Sequence, residues 1–366
     1  MTTLFKPEYS YENEDKMYWN VLCYNPGVTD IIREEYENNS NSLKINWNGL
    51  CGNPNSLAID IVYKELEKSP NSQKIDWYNL STNPNSLAMD IIRKELEKNP
   101  NSKKILWGNL TRNPSAIDII RNELRKNPNS SKIDWYNLCI NPEAFDLIQK
   151  ELEKNPNSQK IHWWRLCKNT NTLAIDIVRK ELENNPNSRK ICWSSLCGNP
   201  GAIDIIYKEY QRDPDSQNID WVELCRNSAA INIIREEYKQ DANFYKINWR
   251  SICVNQNSYE IIREELQKNG NSEIKDWDCL SYNPEAIDII REEYQKHPNS
   301  SKKINWYALC HNPKARDILF PYDYQKMRDK MQSFQEELCE YVFNPKRMKT
   351  IAKSYDLSLE DLQEMY

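Results

Sequence analysis

Eleven cysteines, three histidines and 54 acidic side chains are the groups in this chain that could hold a metal or do covalent chemistry. Eight of the cysteines (Cys23, Cys51, Cys139, Cys167, Cys197, Cys225, Cys253 and Cys310) each follow a tryptophan by four residues, and the equivalent places elsewhere hold Ser81, Thr111 and Ser281. A slot that accepts Cys, Ser or Thr selects a small side chain, not a ligand. No CxxC occurs, and thiols one repeat apart would lie about 9–10 Å from each other in stacked helices, beyond disulfide reach. Free thiols in such number point to a reducing compartment. His162, His297 and His311 have no Cys or Asp at catalytic or ligand spacing. Seven scattered glycines offer no phosphate-cradling loop. No catalytic, metal-binding or cofactor-binding residue is expected, and the chain is read as not an enzyme.

The elements that carry these residues are copied along the chain. Trp19, Trp47, Trp77, Trp107, Trp135, Trp163, Trp193, Trp221, Trp249, Trp277 and Trp306 stand 28 to 30 residues apart, and each is followed six residues later by an asparagine, from Asn25 to Asn312. A fixed period of this length means one supersecondary unit repeated many times. In the unit Lys132 to Ser158, Asp134 can cap a short first helix, on which Trp135, Leu138 and Cys139 share one face. Asn141 then caps a second helix of about fourteen residues, with Pro142 at its first position, where a missing N–H costs nothing. Eight units have this Asn-Pro pair, and Thr170, Ser228 and Gln256 replace the proline in three, but the asparagine never changes. Ala144, Phe145, Ile148 and Leu152 form the apolar stripe of the second helix, which stops at Asn155-Pro156.

Three units carry two extra residues at the corner between helices, in Asn53–Asp60, Asn83–Asp90 and Asn169–Asp176. No strand-like alternation persists anywhere. The pattern predicts an all-α chain: an α-solenoid of about eleven two-helix repeats over residues 16–320, with the tryptophans sunk in a shared core. Residues 1–15 are a polar lead-in, and a helical segment over 321–366 is expected to seal the open end of the stack.

Charge repeats as well. A column of glutamates from Glu35 to Glu293 runs down the second helices, and a column of lysines stands three residues before the tryptophans. Each lysine is expected to neutralise a glutamate in the adjoining turn. With 49 basic against 54 acidic side chains, a formal charge of -5 and a pI near 5.6, the balance disfavours a nucleic-acid partner. A mean hydropathy of -0.86 and the lack of an 18-residue apolar run exclude a membrane span, and the opening residues have no secretory leader. A cytoplasmic location is expected.

A repeat scaffold fixes its core and varies its contact surface, so the variable positions are the candidates for binding. The residues one and two places after the tryptophan include Tyr78, Tyr136, Trp164, Arg165 and Tyr307; the fifth place includes Arg112, Lys168 and Arg226. Such an aromatic and arginine-rich patch suits a protein interface.

The unit DWxxLCxNPxAIDIIxxELxxNPNS resembles the tandem W-x-x-L-x-x-N-P repeats of proteins from large nucleocytoplasmic DNA viruses, mimivirus relatives among them, from Trp19 to roughly Arg347. The run Val342-Phe343-Asn344-Pro345-Lys346-Arg347 is similar to an ending found in such proteins. The resemblance implies a viral or virus-derived protein acting in the host cytoplasm and supplies no mechanism. The expected function is a non-catalytic scaffold that binds a host or viral protein; the alternatives are a helical-repeat RNA binder and a virion structural component.

Overall fold

The fold is given by a computed structural model that describes residues 17–240, 246–268, 277–296, 304–321, 344 and 347–350. They fall into two units: Lys16–Ala315, and a second made of Met1–Asp15 with Arg316–Tyr366. The described residues are helix, turn and loop with no strand. The lead-in over 1–15 lies outside them. Of the expected capping segment they include Pro321, Asn344 and a helical turn at 347–350 with Met348 buried.

Within the first unit the repeats share one plan. In the fifth, Asp134 Oδ1 accepts from Tyr136 N at 3.0 Å and opens the short helix Trp135–Leu138. Asn141 Oδ1 accepts from Glu143 N at 3.0 Å and opens a 3₁₀ turn, Pro142–Ala144, which runs into the long helix Phe145–Lys154. The second helix therefore begins with one tighter turn, where the sequence suggested a single α-helix. A cap that bonds two residues ahead, with proline between, favours the narrower 3₁₀ winding. The extra two residues of three repeats remove that turn. Asn55, Asn85 and Asn171 serve there as second caps, and α-helix runs unbroken over Ser56–Lys68, Ser86–Lys98 and Thr172–Asn184.

Each long helix stops at an asparagine or its substitute, and the turn is held by side chains. Asn155 Oδ1 accepts from Asn157 N at 3.0 Å, and Ser158 Oγ donates to Glu151 Oε1 at 2.6 Å. The Asn-Pro-Asn-Ser ending is thus an Asx turn followed by a serine tied back to the glutamate column. Equivalent bonds join Ser72 to Glu65, Ser102 to Glu95, Ser130 to Glu123 and Ser188 to Glu181.

Repeats are joined by the other end of the capping asparagine. Asn141 Nδ2 donates to Thr111 O at 2.9 Å and Asn113 O at 3.2 Å in the preceding repeat. Asn83 reaches Cys51 O and Asn53 O at 2.8 and 2.9 Å, and Asn199 reaches Cys167 O and Asn169 O at 2.8 Å each. These asparagines are fully or almost fully buried. Beside them the small-residue slot makes a second link, since Asn46 N, His162 N and Asp220 N point at Cys23, Cys139 and Cys197 Sγ at 3.2 to 3.4 Å. Where serine or threonine fills the slot, its hydroxyl turns back to the tryptophan carbonyl instead, at 2.6 to 2.7 Å for Ser81, Thr111 and Ser281.

Apolar packing crosses the same junctions. Ile117, Ile120, Ile133, Leu138 and Ala144 form one cluster with Trp107, Leu124, Trp135 and Leu147 against it. Isoleucines two places before the tryptophan, such as Ile45, Ile75 and Ile105, are buried throughout. The tryptophans themselves are half-buried, apart from buried Trp306, so they wall the gaps between long helices and do not fill a spine. Phe145, Leu147 and Leu152 are likewise half-buried beside fully buried Ala144 and Ile148.

The α-solenoid that the sequence predicts closes on itself. Asn25 of the first repeat donates to Cys310 O at 2.8 Å and Asn312 O at 3.0 Å in the last, the bond every other asparagine makes to its predecessor. The short helices Trp19–Leu22 and Trp306–His311 lie side by side, and Tyr18 meets Tyr307 edge-on at 5.4 Å. Tyr18 also supplies a backbone bond to the Cys310 thiol, as Asn46 does to Cys23. The eleven repeats thus form a closed ring.

Curvature follows from the two helix layers. Short helices of most neighbouring repeats lie directly against one another. Long helices meet largely through their first turns, and their later turns part to leave grooves of 310 to 610 Å³ between them. The closer layer must be the inner one. Eleven short helices at an interaxial distance of about 8–10 Å, less one helix diameter of about 10 Å, enclose a bore about 18–25 Å across.

Two outcomes follow. Asn141→Asp keeps the cap but loses both donors and sets a carboxylate against two buried carbonyls, so thermal unfolding should show a loss of about 3 kcal/mol, well above the loss of about 1 for a cap alone. A Cβ added to Gly27 would overlap the Pro313 carbonyl oxygen at the closing junction. Gly27→Val should therefore raise the radius of gyration in small-angle scattering while circular dichroism keeps its helical signal; an unchanged radius would count against closure.

Candidate functional site

Side chains of the short helices divide by position. The tryptophan and the residues three and four places on turn toward the long helix, so the residues one and five places on are left on the opposite face. That face lines the ring. Asn20, Asn48, Tyr78, Tyr136, Trp164, Ser194, Val222, Arg250, Asp278 and Tyr307 are all exposed there, as are Tyr24, Thr82, Arg112, Lys168, Arg226, Val254 and Tyr282. The positions that vary most in the sequence are those that face the bore.

Four of the candidate residues are brought together at the fifth and sixth repeats. The Arg165 guanidinium lies 3.9 Å from the Tyr136 ring centroid and 4.8 Å from that of Trp164. Tyr136 and Trp164 meet edge-on at 5.8 Å, and Lys168 Nζ sits 5.0 Å over the Trp164 ring. Tyr136 also meets His162 at 5.4 Å. Trp164 and Tyr136 each keep 40% of their surface exposed. A guanidinium this near two aromatic rings is in a favourable place, and the contacts limit its movement. Arg165 Nε is buried without a hydrogen-bond partner, and its Nη2 makes one long contact of 3.4 Å to Asn137 Oδ1.

The remaining candidates are dispersed. Tyr78 is exposed at the third repeat, and Arg112 lies on the same wall at the fourth. Arg226 is engaged by Glu223 at 2.9 Å. Tyr307 belongs to a second aromatic group at the closing junction, with Tyr18 at 5.4 Å and His311 at 5.0 Å, and His311 also meets Tyr282 at 5.5 Å. His162, Asn137 and Tyr18 were not singled out as contacts in the sequence. The signal for His162 and Tyr18 was present, because the place before the tryptophan otherwise often holds a capping Asn or Asp. Neither makes a side-chain cap.

Outside the ring, the lysine column does what its spacing suggested. Lys104, Lys132, Lys160 and Lys190 each lie 3.3 to 3.5 Å from a glutamate of the long helix before them. The same lysines cover Trp77, Trp107, Trp135 and Trp163 at 4.9 to 5.2 Å. Where Asn218 replaces the lysine, its amide donates to Glu209 at 2.9 Å instead. Arg121 pairs with Asp146 of the next repeat at 2.9 Å, closer than with Asp118 at 3.9 Å. The outer cations named here are neutralised in place.

The ten cysteines among the described residues are free. Burial pushes the thiols of Cys23, Cys139, Cys167, Cys197, Cys225 and Cys310 up to about 11 and that of Cys51 to about 12, despite a lowering backbone bond in each case. Cys192 is less buried and lies within 3.1 Å of Ser195 Oγ. Among the described residues no three His, Cys, Asp or Glu side chains are placed to hold a metal, and no helix is long and apolar enough to cross a membrane.

Thiolate is the reactive form, so iodoacetamide at about pH 8 should label Cys192 first among these ten, with the seven shifted thiols following only on unfolding. Mass spectrometry of timed samples checks the order; rapid labelling of Cys51 would contradict the packing. Set against known protein families, curated proteins and solved structures, the chain has no match.

Proposed function

We propose that this chain is a non-catalytic helical-repeat scaffold that holds a protein partner against the inner wall of its ring. The observation that carries this reading is the Tyr136, Trp164, Arg165 and Lys168 group, where large apolar surface and cations stand exposed together. Residues of these types supply much of the binding energy in protein interfaces. Nothing in the packing of the repeat calls for an exposed tryptophan, and Trp164 is the one tryptophan outside the repeat column. The repeat core supports a scaffold as well, because it stays constant while the residues facing the bore change from unit to unit.

The resemblance to repeats of large DNA viruses supports a place in the host cytoplasm or the virion, where a structural role in the particle is the neighbouring possibility. Reading RNA bases along the ring is less well supported, since the lysine column that would follow a phosphate backbone is spent on glutamates.

The test is affinity capture from producing cells with the intact chain and with Trp164→Ala. The variant should keep its helical signal and melting temperature, because the side chain lies outside the core. It should lose about tenfold or more of the proteins captured by the parent chain. An unchanged capture profile would remove the inner wall from consideration.

A further inference from the structure

We propose that Arg165 is the anchor of a docking site for an acidic, extended protein segment, one carboxylate of which it takes in a two-point bond. This rests on the scaffold reading and names the chemistry of its partner. Three observations lead to it.

Arg165 is held between Tyr136 at 3.9 Å and Trp164 at 4.8 Å, two rings inclined at 67° to each other, so its guanidinium is positioned before any ligand arrives. A guanidinium fixed in this way matches a carboxylate edge-on at little further entropic cost. Its Nε–H is buried out of a ligand's reach, which leaves the terminal Nη donors to take the carboxylate. Among the described residues the acceptor at its other end is Asn137 Oδ1, at a long 3.4 Å.

Cations outnumber carboxylates on this sector, where Asp134 is engaged by Tyr136 N at 3.0 Å and Asn137 Nδ2 at 2.7 Å. Among the described residues no carboxylate pairs with Arg112, Arg165 or Lys168, whereas Arg226 on the same wall is paired with Glu223 and the outer lysines with the glutamate column. Arg112 and Arg165 are two repeats apart, about 16–20 Å at ordinary helix spacing. An extended chain covers that distance in about five or six residues. Trp164 and Tyr136 between them offer apolar faces to the stems of such a segment.

The wall as a whole does not suit a polyphosphate. Glu223 and Asp278 face the bore further round, and Asp220 takes part in the wall by accepting from Ser194 at 2.7 Å. A nucleic acid following the ring would meet these carboxylates, while a short acidic segment need only occupy the fourth to sixth repeats. A protein carboxylate is accordingly the favoured ligand, and RNA is an outcome of the test.

The experiment is fluorescence anisotropy on the full chain with three short labelled probes: a glutamate-rich peptide carrying two tyrosines, the same peptide with lysine for glutamate, and an oligouridylate. The glutamate peptide should bind and weaken as salt rises, and the lysine peptide should not bind. Arg165→Gln should weaken the glutamate peptide about tenfold or more. Arg165→Lys, which keeps the charge but not the fork, should recover little of it. Circular dichroism of both variants establishes that they fold. No binding of the glutamate peptide, tighter binding of the oligouridylate, or full recovery by Arg165→Lys would each overturn the proposal. Should the peptide fail while Trp164→Ala still loses captured proteins, the acidic-segment inference falls and the scaffold reading stands.

Discussion

The structure rests on one side chain used at both ends. In each repeat the asparagine six places after the tryptophan caps the second helix through its oxygen and bonds the preceding repeat through its nitrogen. Aspartate or serine could cap; neither could also donate twice into a neighbour's buried carbonyls. That double demand explains why Thr170, Ser228 and Gln256 can replace the following proline while all eleven asparagines persist. It also makes local and tertiary structure one event, because the same residue starts a helix and sets the distance to the next.

Because the junctions are built alike, the small rotation at each is added in the same sense. Eleven steps that close on themselves turn about 33° each on average. The short helices permit this by close approach, with Gly49 against Cys23 as one point where a larger side chain would not fit. Half-buried tryptophans, covered by lysines, fill the wedges that open on the outer side. Tyrosines contribute there too: Tyr210 and Tyr238 pack edge-on against Trp221 and Trp249 and donate to Glu237 and Glu265 of the following repeats at 3.0 Å. Closure spares the fold a pair of exposed apolar end faces, which an open stack of such units would have to cover.

The two surfaces of the ring are treated differently by charge. Outside, lysine, glutamate and serine form repeated sets whose members satisfy each other. Inside, side chains change from repeat to repeat, and at the fourth to sixth repeats cations stand near aromatic rings without an ion-pair partner among the described residues. A surface already neutralised offers a partner little, since each new contact must replace one that exists. A surface whose cations lack an ion-pair partner gains from meeting an acidic one. This contrast places the proposed docking on the inner wall.

Much of this was legible in the residues alone. Helix pairs, their caps, the sharp stops at Asn-Pro, the small-residue nature of the cysteine slot and the lysine–glutamate pairing all depend on neighbours within about one repeat, and such neighbours are fixed by spacing. The gathering of Tyr136, Trp164, Arg165 and Lys168 was partly visible, because they occupy recurrent variable positions. What the sequence could not supply was the 3₁₀ first turn, the half-exposure of the tryptophans, the second bond of the asparagine and the meeting of Asn25 with Cys310. These depend on curvature, a sum of slight differences in spacing between two helix layers, and no single repeat contains that sum. The residues therefore determined the unit, and the closed arrangement alone decided which of its faces looks inward.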